Sequence, residues 1–242
     1  MFSAQKGHSQ LSTQLNELSE QFIQQLKNGD DTKEIQEELA RIEFDELVNT
    51  LQTDTQKLAF WVNIYNAYIQ VFLSERPELY ENRSAFFSKD RIPIAGYTIS
   101  FDKIEHGIIR KSQSKIGFGY VKKGFPDKFE RMLRVEEPDY RIHFALNCGA
   151  KDCPPVAIYT PEDLEKQFAN STSRFLKSSS RFLPKTKEVE VTSLFSWFRG
   201  DFGGKDGIRK ILYEEDIISN TDGVELLYKD YDWTLALDNF IE

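Results

Sequence analysis

The segment Leu58 to Leu73 leaves this chain the fewest options. Read as a helix at 100° per residue, it spreads Phe60, Val62, Ile64, Ile69 and Val71 over most of its circumference, with Asn63, Asn66 and Gln70 near one stripe. A helix apolar nearly all round is a buried one, so other elements must surround it. The carboxamides interrupt what is otherwise the best candidate for a membrane span, and no stretch reaches the roughly 18–20 continuous apolar residues a span needs. Thr53, Asp54 and Thr55 offer caps for its start, and Pro77 ends it at or before Arg76. Inside a core each unpaired polar group costs roughly 1–3 kcal/mol, so the three carboxamides need partners. Asn66 reads as a lock bonded to backbone carbonyls. For Asn63 two readings stand side by side: the same kind of lock, or a group facing a site where it orients a ligand, a histidine or a loop.

The rest of the 242 residues supplies ample wrapping, with 19 Phe, 10 Tyr and 3 Trp. Leu11, Leu15, Leu18, Phe22 and Leu26 follow the repeat of an amphipathic helix, which Asn28-Gly29-Asp30-Asp31-Thr32 stops. A second helix is expected through Ile35, Leu39, Ile42 and Leu47. Ile92, Ile94, Tyr97, Ile99 and Phe101, with Gly96 as the turn, predict a hairpin, followed by a short helix around Ile104 to Ile109. Ile142 to Leu146 reads as a buried strand, Thr160 with Pro161 as the start of a helix, and Val189 and Val191 as another short strand. An aromatic run, Phe195 to Phe202, precedes a helix over 206–213. No regular alternation of strand and helix supports a parallel doubly wound sheet. The expected architecture is a single α+β domain, with a helical N-terminal portion packed on a small, mainly antiparallel sheet. Residues 1–49 form an N-terminal helical extension of that domain and 50–242 its core.

The net charge of −8 argues against a general nucleic-acid or anionic-membrane binder, while leaving room for a local basic patch. Such a patch exists: residues 110–134 hold eight Lys or Arg against two acids, interleaved with Phe118, Tyr120 and Phe125, which either pack on the domain or contact a ligand. MFSAQKGHSQ has neither the cationic start nor the apolar stretch of an export signal, and a processed exported chain would look the same.

Chemistry-bearing side chains gather in a few places. His8 sits in a polar tail. His106 neighbours Glu105 and lies four residues before Arg110; an imidazole there can move protons near neutrality. Glu105, adjacent in sequence, points elsewhere on a helix. Cys148 follows the 142–146 strand and precedes Gly149, where exposed backbone amides can stabilise a thiolate or an oxyanion. In a strand, His143 and Cys148 would lie on opposite faces and roughly 16 Å apart, which makes His106 the better base for the thiol. Cys148-x4-Cys153 also fits half of a zinc site that His106 and His143 would complete, and it closes a local disulfide if the turn brings the Cα atoms within about 7 Å.

These residues fall in motifs that resemble the domain of unknown function 547 family: Lys57 to Ala67, Ile104 to Arg110, Arg141 to Pro154, Trp197 to Phe202, and Tyr231-Asp232-Trp233, together spanning about residues 50–235. The resemblance implies no established reaction. It implies that Asn63, Glu105, His106, Arg110, Arg141, His143, Cys148, Cys153 and Asp201 occupy motif positions, and that bacterial relatives are often exported. Ser196 to Asp201 read mainly as structural, with Asp201 capping or pairing with Arg110 or Arg141. Two functional hypotheses follow. One is a thiol-dependent hydrolase or transferase in which Cys148 is the nucleophile, His106 the acid–base, His143 or Asn63 an orienting group, Glu105 a substrate contact, and Arg110 or Arg141 an anion clamp. The other is a non-catalytic module binding a peptide, a glycan or a small molecule in the same groove. No cofactor is expected under either; a Cys/His zinc or redox site is the third alternative.

Overall fold

Three helices, α1 (Ser3–Asn28), α2 (Lys33–Arg41) and α3 (Phe44–Thr50), lead into α4 (Asp54–Glu75), the segment whose pattern demands burial. The computed structural model describes residues 3–241, with side chains from Gln14 onward. Leu11 and His8 therefore lie outside the described side chains. A reciprocal capping box starts α4: Gln56 N donates to Thr53 Oγ1 at 3.3 Å and Thr53 N to Gln56 Oε1 at 3.0 Å. The helix stops at Glu75 because Arg76, preceding Pro77, has left helical geometry. Between these ends Phe60, Trp61, Val62, Ile64, Ala67 and Ile69 are fully buried.

α1 covers one side of α4 with Leu15, Leu18, Phe22 and Ile23, and Phe22 meets Tyr68 edge to face at 5.2 Å. The single helix expected through Leu47 is two helices, because the backbone is extended at Ile42 and Glu43. That break lets Ile42 and Phe44 pack on the core independently. After α5 (Arg83–Ser88) comes the predicted hairpin, β1 (Ile92–Ile94) paired antiparallel with β2 (Tyr97–Ile99). Its two-residue turn has positive φ at both Ala95 and Gly96, the form whose twist suits a hairpin. The turn amides donate to Leu39 O (2.9 Å) and Ala40 O (3.0 Å), satisfying carbonyls left open at the end of α2.

Beyond α6 (Lys128–Leu133) and α7 (Leu164–Ser179), β3 (Arg181–Leu183) pairs antiparallel with β4 (Glu188–Val191). Next come α8 (Leu194–Trp197), α9 (Gly204–Glu214) and β5 (Glu225–Tyr228), the last parallel to β4. The fold is α+β, its sheet divided into a two-stranded and a three-stranded piece, antiparallel in two of the three pairings. One apolar cluster surrounds α4; a second joins Phe144, Phe175, Val189, Phe195, Phe202 and Leu212. No helix among the described residues is long and apolar enough to cross a membrane.

Two expectations need correction. Pro161 to Asp163 form a turn, not the first turn of a helix: Thr160 Oγ1 accepts from Asp163 N at 3.3 Å and α7 begins only at Leu164. More consequentially, the buried strand at 142–146 is a 3₁₀ turn over Tyr140–Phe144, set by Asp139, whose carboxylate accepts from Arg141 N at 2.9 Å. A 3₁₀ turn advances about 2.0 Å per residue against about 3.3 Å in a strand. The geometric reason for separating His143 from Cys148 disappears with the strand.

Candidate functional site

Where the two clusters meet, a cavity of about 240 Å³ opens. Glu105 and His106, His143, and Cys148 line it, opposite a wall of Trp197, Phe198, Tyr231 and Trp233. The tail that supplies Tyr231 and Trp233 is tied to the segment carrying the cysteines by bridges Ala150–Leu235 and Val156–Phe240. Trp197 and Trp233 stack at 5.5 Å between centroids, and Tyr231 contacts both rings at 5.0 and 4.8 Å.

Glu105 and His106 come from a π-helix, Lys103–Ile109. Its wide turns are closed by Arg110 N to Glu105 O (3.0 Å) and Ser112 N to Gly107 O (2.8 Å), five residues apart. The widened turn brings both adjacent side chains into one lining, against the expectation that Glu105 would face elsewhere. Gly107 is required there: a Cβ would sit 2.8 Å from Glu130 Cγ on α6.

Behind the cavity an ion pair organises both histidines. Arg110 is buried and donates to Asp201 twice, Nε to Oδ2 at 2.7 Å and Nη2 to Oδ1 at 3.1 Å. Its remaining Nη1 donates to His106 Nδ1 at 2.6 Å. A guanidinium only donates, so Nδ1 of His106 is the acceptor and the ring proton of the neutral tautomer sits on Nε2, 3.7 Å from Asp102 Oδ1. Burial, reinforced by Arg110, lowers the His106 imidazole to about 3. His106 is consequently a neutral hydrogen-bond donor to the cavity. This corrects its reading as the base for Cys148.

His143 takes the opposite arrangement. Its Nε2 lies 2.8 Å from Asp201 Oδ2. Although burial alone would raise Asp201, the hydrogen bonds from His143 and Arg110 hold this carboxyl below its ordinary range. An ionised Asp201 accepts, so Nε2 of His143 donates and Nδ1 keeps its lone pair; nothing among the described residues hydrogen-bonds Nδ1. Burial also lowers the His143 imidazole, more than Asp201 raises it, so the ring is neutral. Phe198 fixes its plane by stacking at 4.0 Å. Glu105 is raised by desolvation on burial, against the lowering pull of Arg110. Arg110 and Asp201 thus compensate each other among groups that are otherwise pushed towards neutrality.

Cys148 and Cys153 form a disulfide, with Cα atoms 6.1 Å apart. Cys148 lines the 240 Å³ cavity, while Cys153 lines a neighbouring one of about 320 Å³, and Tyr231 borders both. The Tyr231 hydroxyl stands 3.7 Å from Cys148 Sγ and 3.3 Å from Cys153 Sγ, and burial raises its phenol, so it remains a donor. The four side chains of the zinc alternative are engaged elsewhere: both sulfurs in the disulfide, His106 Nδ1 with Arg110, His143 Nε2 with Asp201.

Three expected site residues lie outside the cavity lining, and the first, Arg110, is committed to Asp201 and His106 rather than free to clamp an anion. Arg141 clamps Asp139, Nη2 to Oδ2 at 2.6 Å, and reaches Glu165 at 2.9 Å, so it serves the 3₁₀ turn and α7. Asn63 is wholly buried: Nδ2 donates to Tyr159 O (2.8 Å) and Ser19 Oγ (3.1 Å), and Oδ1 accepts from Tyr159 N (3.0 Å). Its structural reading is the correct one. Asn66 bonds Ala145 O at 2.9 Å and Asn147 N at 2.8 Å, holding the approach to Cys148 in place. Asn63→Ala should cost about 2–3 kcal/mol in urea unfolding, because it strands both polar groups of Tyr159, and should leave any ligand affinity of the folded protein unchanged. A lost affinity without lost stability would restore Asn63 to the site.

Sequence reasoning paired Asp201 with Arg110 or Arg141, and the Arg110 pair is the one formed; it missed the bond from His143 to Asp201 and the Trp197–Tyr231–Trp233 wall. The wall residues stood in the quoted motifs; the links from Asp201 to His143, 58 residues away, and to Arg110, 91 residues away, have no local signature. The fold and cavity define an α+β pocket protein with an aromatic wall and a buried Arg–Asp–His cluster. Residues 48–176, more than half of the chain, match the family described as protein of unknown function, DUF547, and the chain belongs to that family. The match includes Glu105, His106, Arg110, His143 and both cysteines; Trp197, Asp201, Tyr231 and Trp233 follow it in the chain. No curated protein and no solved structure matches this chain.

Proposed function

We propose that this domain is a thiol-dependent acyl hydrolase or transferase whose Cys148 nucleophile is held in reserve as the disulfide with Cys153. The observation that carries the reading is that Cys148 shares one cavity lining with His143, whose Nε2–H is engaged by Asp201 and whose Nδ1 is open. Two equivalents of an external thiol would reduce the bond, giving two protein thiols and one external disulfide. Tyr231, within hydrogen-bonding reach of Cys153 Sγ and close to Cys148 Sγ, would donate to whichever sulfur carries negative charge. His143 Nδ1 would then take the Cys148 proton as the sulfur adds to a substrate carbonyl carbon, and pass it to the leaving group as the carbon–leaving group bond breaks. Water or another acceptor would release the acyl group from sulfur. Neutral His106 supplies a donor for the carbonyl oxygen as it gains charge.

The test is hydrolysis of a p-nitrophenyl acyl ester, with parallel alkylation by iodoacetamide across pH. Reduced protein should turn over the ester, with Cys148 alkylated at half-maximal rate well below the ordinary thiol value of about 8.5. Cys148→Ser should remove turnover. Turnover indifferent to reductant or to Cys148→Ser, or an alkylation midpoint at or above 8.5, would overturn the reading. The mutual packing of Trp197, Tyr231 and Trp233 favours a second reading, non-catalytic binding of a glycan or peptide against that wall. Under it, ligand binding survives Cys148→Ser and no turnover occurs in any redox state.

A further inference from the structure

The segment 111–125 carries Lys111, Lys115, Lys122 and Lys123 and no acidic residue, in a chain of net charge −8. Five of the eight exposed large apolar or aromatic side chains among the described residues fall within ten of its positions: Ile116, Phe118, Tyr120, Val121 and Phe125. Single exposed apolar side chains are ordinary; a cluster of them marks an interaction surface. Ile116 is 82% exposed and Phe125 95%, so they protrude rather than rest against the domain.

This exposure is built, not a lack of structure. Gln113 bridges Lys122, Ser114 N donates to Val121 O at 2.7 Å, and the chain reverses through Gly117, Phe118 and Gly119, all at positive φ. For Phe118 that conformation is strained and needs holding. The hold comes from the site: Gly200 N donates to Phe118 O at 2.7 Å, and Gly119 passes so close to Asp201 that a Cβ would lie 2.4 Å from Oδ1. The turn is therefore pinned at its back while its apolar side chains face water.

We infer that this loop docks the domain peripherally on an anionic lipid surface, with Ile116, Phe118 and Phe125 entering the interface and the lysines facing the headgroups. Charge complementarity carries the choice of occupant. At physiological salt, charges beyond about 8 Å are screened, so the nearby groups decide. Lys111, Lys115 and Lys123 are paired with Glu136, Asp102 and Glu130, yet the eight basic residues of 110–134 still exceed Asp127, Glu130 and the partners Asp102, Glu136 and Asp201 by three, with Lys122 unpaired among the described residues. Protruding, almost fully exposed Phe and Ile would need matching pockets in a protein partner; a bilayer interface receives them without any. Tyr120 beside them has the amphipathic character that suits headgroup depth. Lys115 also lines the 240 Å³ cavity and pairs with Asp102 at 2.7 Å, so docking would set the cavity mouth beside the membrane. The inference does not depend on the thiol reading.

The test is co-sedimentation of the full chain with vesicles of phosphatidylcholine alone and of phosphatidylcholine with 30% phosphatidylserine, at several salt concentrations. Partitioning onto the anionic vesicles should be at least tenfold stronger and should weaken with salt. Ile116→Asp with Phe125→Asp should abolish it, and Lys122→Glu should reduce it several-fold, with circular dichroism unchanged. Equal partitioning onto neutral vesicles, no partitioning onto anionic ones, or binding indifferent to the loop substitutions would overturn the inference. So would capture of an acidic protein through this loop by a chain that ignores vesicles.

Discussion

Asp201→Ala will lower the unfolding free energy by about 3–5 kcal/mol, the cost of leaving a buried charge without its partner. Arg110 has almost no solvent access and gives two of its hydrogen bonds to that carboxylate. His143, equally buried, would lose the acceptor for Nε2. Urea unfolding measures the loss. Adding Arg110→Met in the same chain should recover much of it, since an apolar side chain of similar length removes the charge together with its desolvation penalty. Asp201→Asn keeps the volume and one acceptor and should cost less than alanine. If Asp201→Ala costs under 1 kcal/mol, Arg110 must find water or another carboxylate, and the cluster is looser than its hydrogen bonds describe.

What was legible in the sequence followed from local physics. A helix apolar on nearly every side can only be buried, and α4 is, down to the predicted stop before Pro77. The hairpin was readable from alternation around Gly96, though not that its turn amides would close the end of α2. The run from Ile142 to Leu146 was not decidable, because a short apolar stretch reads alike as a buried strand or a buried turn of helix. The deciding group was Asp139, which caps the 3₁₀ turn and holds Arg141 away from the cavity. The same limit applied to the histidines. Their sequence neighbours were visible, and the four-residue spacing of His106 and Arg110 was a usable sign that a guanidinium would reach the ring. The distribution of protons between the two rings depends instead on Asp201, which only the tertiary fold brings to them. Sequence could nominate the polar side chains; it could not say that one imidazole would be a donor and the other an acceptor.

That division of roles makes stability sensitive to acid, and the sign follows from the direction of each shift. His106 titrates near 6.5 in an unfolded chain and at about 3 in the fold. The folded state therefore binds fewer protons across that interval. The contribution is fully present above about 6.5 and is lost as pH falls towards 3, at up to about 1.4 kcal/mol per pH unit. By pH 4.5 the loss from His106 alone is about 3 kcal/mol. His143, also lowered by burial, adds in the same direction, and Asp201, held low by its hydrogen bonds, adds to it only below about pH 4. Glu105 opposes them: its raised carboxyl takes up a proton in the fold before it does so in the unfolded chain. Urea midpoints measured from pH 7.5 to 4.5 should hold to about pH 6.5 and fall below it. In His106→Asn, whose amide oxygen can still accept from Arg110 but which cannot titrate, the slope should drop by about one proton's worth. A wild-type midpoint constant over this range would mean that the His106 ring takes up its proton without leaving the fold. The assignment of its Nδ1 as an acceptor for Arg110, and with it the neutral donor facing the cavity, would then be wrong.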